Sequence, residues 1–164
     1  MFVIRPFFKF KNLSKINMTS KHFSITSLIL SVLGFADSLY LTIAHYSTPA
    51  ILACPETKFV NCEKVTSSSY SLIHGIPITF FGMLFFIVLI VLSLPRFWVG
   101  VSRFVTNLRL AVVSLGMLSV FYLVYVELYK LNSICLYCTG VHLITFLLFV
   151  ITMWAGLKPS QRDS

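Results

Sequence analysis

"SICLYCTGVHLITFLLFVITMWAGL", residues 133–157, opens on two cysteines three apart and continues as an almost wholly apolar run. From Cys135 to Leu157 it holds no Asp, Glu, Lys or Arg. That is close to the ~20 residues an α-helix needs to cross the hydrocarbon core of a bilayer. Three further stretches of this kind precede it, at Ser24–Tyr46, Gly75–Pro95 and Leu108–Leu131. Backbone groups in lipid find no water and must be satisfied within the segment, so each stretch predicts a helix. The expected fold is all-α: an integral membrane four-helix bundle.

Composition agrees with this reading. The chain has 164 residues, of which 57% are hydrophobic and 11% charged, with 16 phenylalanines. Soluble domains carry about 25% charged residues, which argues against an ordinary water-soluble enzyme. One domain, residues 24–157, is expected in the membrane, between a basic cytoplasmic tail at 1–23 and a short one at 158–164. The first tail carries Arg5, Lys9, Lys11, Lys15 and Lys21, but no apolar run with a small-residue cleavage site before Ser24. It reads as retained rather than as a signal peptide. Its phenylalanines would lie on anionic lipid, or else the tail has no order.

Charge orients the bundle. Five Lys and Arg lie before Ser24, three lie around the connection between spans two and three (Arg96, Arg103, Arg109), and two follow Leu157. The opposite side has Lys58, Lys64 and Lys130, with Glu56 and Glu63 offsetting the first two. The positive-inside rule then puts both termini in the cytoplasm. The net charge of +8 is a topology signal and not a nucleic-acid footprint, because it is not gathered on a folded surface.

All four cysteines fall on the outer side, Cys54 and Cys62 in the first outer loop, Cys135 and Cys138 at the start of the fourth span. Disulfides persist in such compartments. Cys135 and Cys138 share a helix face, and the first turn of a helix, capped by Asn132 or Ser133, would favour thiolate. A haem site would need histidine where Thr139 stands. Four thiolates could hold zinc, although seven residues between Cys54 and Cys62 exceed the usual spacing. A structural pair of disulfides is the stronger rival. Against it, closing so short a loop as Cys135–Cys138 removes little unfolded-chain entropy.

Two cysteine pairs on one face suggest a thiol–disulfide relay. The loop pair is within reach of a soluble protein, and the helix pair borders the lipid. The scattered glycines form no Gly-x-Gly-x-x-Gly, so a soluble dinucleotide is not expected. A membrane quinone is the simplest electron acceptor. A non-catalytic four-helix scaffold with structural disulfides stays open as the alternative.

"CPETKFVNCEKVTSSSYSLIHGIPITFFGMLFF" (54–86), "SICLYCTGVHLITFLLF" (133–149) and the helix ending "DSLYLTIAHY" (37–46) resemble the vitamin K epoxide reductase family in its prokaryotic form. The resemblance spans about residues 30–150. It implies a four-helix bundle around a quinone (ubiquinone, menaquinone or vitamin K-like), capped by the outer loop. Cys138 would react with the quinone and Cys135 would be its partner. Cys62 would exchange with Cys135, and Cys54 would take electrons from a thioredoxin-fold, DsbA-like protein. That protein would act in trans, because no fused thioredoxin domain follows the bundle here. Such members sit in the bacterial inner membrane and support disulfide formation in exported proteins. Ser68 matches a serine or threonine at the family's quinone pocket, although "TSSSYS" also suits it to capping a turn. The vertebrate enzymes have tyrosine where His142 stands, and asparagine where Ile78 stands. Oxidation of a protein substrate is therefore expected over reduction of vitamin K epoxide.

Several residues carry a functional reading beside a bland one. His142, one turn below Cys138, is expected to hydrogen-bond or protonate a quinone, or to bond a neighbouring helix. Asp37, in the middle of the first span, is expected to face the interior as a quinone or proton residue, or as a packing partner of Ser38. Glu127 is expected to be wet or paired with Lys130, or else to exchange protons with the outside. His74 and Tyr70 read equally as interface anchors or site residues. Gly82 and Gly116 read as points of close helix approach.

Overall fold

The computed structural model describes residues 7–47, 54–55, 57–94 and 103–157. Arg5, Glu56, Arg96, Lys158 and Arg162, used in the charge argument, and the 158–164 tail lie outside the described residues. The elements in chain order are α1 (Phe7–Tyr46), α2 (Cys62–Thr66), a 3₁₀ turn (Ser69–Ser71), β1 (Leu72–Ile73), β2 (Ile76–Pro77), α3 (Ile78–Ser93), α4 (Arg103–Tyr125), a π-helical turn (Val126–Leu131) and α5 (Leu136–Leu157). Three helical segments, His22–Tyr46, Phe104–Leu131 and Leu136–Gly156, are long and apolar enough to cross a membrane, and α3 is a shorter apolar helix. The all-α membrane bundle is thus the observed architecture.

Two boundaries and one helix cap differ from the sequence reading. The basic N-terminal stretch is helical from Phe7 and continuous with the first span. Pro6 is the last helix breaker before it, and no glycine or proline follows until Gly34. The second span starts at Ile78 and not at Gly75, because residues 72–77 form a tight hairpin. His74 and Gly75 at its tip have φ of 52° and 81°, the positive pair that a two-residue hairpin turn demands. Finally, α4 ends in a π turn closed by Asn132 in the left-handed region, φ 47°. Asn132 therefore closes the preceding helix and does not cap α5.

α1 packs along α3 and α5, and α4 packs along α5 and more narrowly on α3. Phe86, Leu89, Val113 and Leu148 form the mid-bundle core. Phe86 is fully buried because Gly34 has no side chain: a β-carbon there would strike the Phe86 ring. Gly116 makes the same room for Phe85, and Gly82 lies against Ser38, as close helix approach requires. At the end away from the cysteines, Ser24 Oγ donates to the Ser93 carbonyl at 2.7 Å and Arg109 Nη2 donates to the Leu92 carbonyl at 2.7 Å. These bonds satisfy carbonyls that the last turn of α3 leaves without helical partners. Arg109, counted with the loop charges, is buried within α4.

Candidate active site

The outer loop is docked by its backbone. Asn61 N–H donates to the Ile134 carbonyl at 3.1 Å, and Ile134 N–H donates to the Phe59 carbonyl at 2.8 Å. Val60 and Ile134 form a parallel bridge. Asn61 also caps α2, its Oδ1 accepting from Lys64 N–H at 2.8 Å, and Lys64 Nζ reaches the Leu131 carbonyl at 2.7 Å. The next residue on each strand of this pairing is a cysteine. Cys62 and Cys135 are 1% and 0% exposed and share one buried cluster with Leu41 and Val65, against which Cys54 and Cys138 pack.

Cys54 and Cys62 are joined in a disulfide, while Cys135 and Cys138 are free thiols. Among the described residues, no group of three His, Cys, Asp or Glu side chains is placed to hold a metal ion. The expected cap of α5 is corrected as well. Cys135 itself precedes the helix, its carbonyl accepting from Thr139 N–H at 2.9 Å and its Sγ from Cys138 N–H at 3.2 Å. The Cys138 thiol hydrogen bond holds Cys135 below the usual thiol range, against the opposing effects of burial and the nearby Glu127 carboxylate.

Beneath the cysteines lies a cavity between α1, α3, the π turn and α5, covered by α2 and the 3₁₀ turn. Its walls are largely apolar, among them Leu41, Val65, Ile78 and Val141. Cys138, His142, Ser68 and Tyr70 line it, as the sequence reading allowed for each. His142 is 8% exposed. Ser68 lines the cavity, and its hydroxyl donates to the Val65 carbonyl at 2.9 Å. His74 is exposed on the hairpin and does not line the cavity.

Two expectations change. Asp37 does not line the cavity; its Oδ2 faces Gly140 of α5, filling the space a side chain there would take. Glu127, expected to be wet or paired with Lys130, is 6% exposed and lines the cavity, while Lys130 is exposed. The π turn is the reason, because its wider winding puts Val126, Glu127 and Leu131 together on the cavity side. Sequence reasoning also missed His45, whose Nδ1 lies 3.1 Å from the Thr66 carbonyl. Ser38, Leu41 and His45 recur at helical spacing, which is the signal that would have found it.

A flat ring with two carbonyls, buried in an apolar slot with a few convergent polar groups, is the ligand type this cavity suits. A quinone head therefore fits the residues present. Bundle, cavity and adjacent cysteine pairs define a membrane protein of thiol–disulfide redox chemistry. The Vitamin K epoxide reductase family profile matches residues 25–153, most of the chain, and the chain belongs to that family. The family is one of quinone-dependent membrane oxidoreductases that form disulfides. A search of curated proteins finds no match.

Proposed function

We propose that this protein passes electrons from a reduced thioredoxin-fold, DsbA-like protein, acting in trans, to a membrane quinone, and so supports disulfide formation in exported proteins. The observation that carries the reading is the placement of Cys62 beside Cys135, with Cys138 at the cavity wall. A thiolate of the partner attacks Cys54, and the Cys54–Cys62 bond breaks as Cys62 leaves as thiolate. With the Cys135–Cys138 pair oxidised, Cys62 then attacks Cys135 and displaces Cys138 as thiolate. Cys54 attacks Cys62 to close the loop pair again, once the partner has left oxidised. The result is a loop disulfide above a dithiol, the arrangement of the thiols in this structure.

A bound quinone supplies the two-electron acceptor, and Cys135 and Cys138 return to a disulfide as their electrons leave. His142 and Ser68 would orient its oxygens, and the apolar walls would keep water out. The charge asymmetry supports an inner-membrane location with cytoplasmic termini and the cysteines on the periplasmic side.

The test follows quinone absorbance in purified protein supplied with a reduced thioredoxin-fold oxidase. Wild type is expected to reduce quinone while the partner becomes oxidised, and Cys138→Ala is expected to reduce none. If folded wild type reduces neither ubiquinone nor menaquinone with several such partners, the scaffold reading replaces this one.

A further inference from the structure

Glu127 is the one acidic residue of the helical segment Phe104–Leu131, is 6% exposed, and forms no ion pair among the described residues. Burying such a group is costly, and an intramembrane acid that persists usually has a task. Its side chain lies against the backbone amide of Cys135 and reaches the cavity that Cys138 and His142 also line. The titratable groups around it are His45 from α1, Tyr70 from the 3₁₀ turn, and Cys135, Cys138 and His142 at α5. Those that α2 and α3 turn to the cavity are Val65, Thr66, Ile78, Thr79 and Gly82, none of which titrates in the ordinary range, and the ammonium of Lys64 on α2 is held by the Leu131 carbonyl of the π turn. His45 is engaged with the Thr66 carbonyl. Asp37 also acts on Cys138 but is not among the cavity-lining residues, which leaves Glu127 and His142 as the proton carriers that reach both the dithiol and the cavity.

We propose that Glu127 carries one of the two protons of the dithiol–quinone exchange, taking it from Cys135 and delivering it to a quinone oxygen. This rests on the quinone reading above. Cys135 and Cys138 together give up two electrons and two protons as one S–S bond forms between them. Glu127 accepts the Cys135 proton and His142, one turn from Cys138, accepts the other. Each carrier then releases its proton to one of the two carbonyl oxygens, which become the hydroxyls of the quinol.

Glu127→Gln is the discriminating variant, because the amide keeps the size and an acceptor for the Cys135 amide but cannot carry the proton. Pre-reduced protein is mixed with a short-chain ubiquinone, and the single-turnover rate is followed against pH. Glu127→Gln is expected to slow the step by roughly 10²-fold and to remove one limb of the pH profile, with Glu127→Asp restoring part of both. Without quinone, the thiolate absorbance of the reduced pair is titrated. Loss of the carboxylate is expected to move thiolate formation to lower pH. Wild-type rate and profile in Glu127→Gln overturn the proposal, even if the thiolate titration moves, since the charge is then only a neighbour. If the variants do not assemble, infrared difference spectra of wild type across quinone reduction decide, and no change in any carboxyl band overturns it. A wild type that reduces no quinone removes the function and this proposal together, whereas an active wild type with an unimpaired Glu127→Gln removes this proposal alone.

Discussion

The backbone N–H of Asn61 donates to the carbonyl of Ile134 at 3.1 Å, and each of these residues immediately precedes a buried cysteine. A single parallel bridge thus sets the distance between two cysteine pairs that lie far apart in the chain. Once the loop is docked, the chance that Cys62 meets Cys135 no longer depends on loop diffusion.

A variant carrying both Cys54→Ala and Cys138→Ala leaves Cys62 and Cys135 as the only cysteines. Mild oxidation is expected to join them within one chain, read as a crosslinked peptide by mass spectrometry. If the two stay separate thiols in a protein that keeps its helical circular dichroism, the relay geometry is wrong.

Asn61→Ala removes the side-chain cap of α2 but leaves the backbone bond to Ile134. Loss of such a cap costs about 1 kcal/mol. Amide exchange across Cys62–Thr66 should accelerate by about fivefold, with exchange in α4 unchanged. Equal protection in variant and wild type would mean that the cap contributes nothing to loop order.

Gly34→Ala introduces a β-carbon into the space of the fully buried Phe86 ring. Overpacking of this kind costs about 1–3 kcal/mol, measured as a lowered unfolding midpoint in detergent. Gly156→Ala, where a β-carbon meets nothing within 4 Å, is the neutral control.

The Cys138 thiol donates a hydrogen bond that stabilises the thiolate form of Cys135. A depressed thiol pKa means that ionisation persists to lower pH than in a free cysteine. Cys138→Ala removes the donor while burial and Glu127 continue to oppose ionisation, so Cys135 is expected to titrate at higher pH. Thiolate absorbance, with the loop pair kept as its disulfide, reads this shift. A titration unchanged or moved downward would contradict the hydrogen bond.

Much of the bundle and part of the site were legible in the chain itself. Four apolar runs had only one way to satisfy their backbones in lipid, and the cysteines gathered at one end by simple alternation of the spans. Cys138 and His142 share a face because residues four apart on a helix always do. Ser68 was legible only through the family resemblance, since its local pattern reads equally as a turn.

Tertiary structure decided the rest. Asp37 and Glu127 look alike in the sequence, each a lone acid in an apolar run, and the expectation favoured Asp37. Asp37 lies against Gly140 and is not among the residues lining the cavity, whereas a π turn brings Glu127 into it. Helical periodicity assumes 3.6 residues per turn, so a local change in winding cannot be read from spacing. Nor can the pairing of Asn61 with Ile134, which joins two segments only after the bundle has brought the outer loop over α5. The thiol chemistry was written in the residue types; which thiols meet was settled by long-range contacts, and which acid stands beside them by the winding of the π turn.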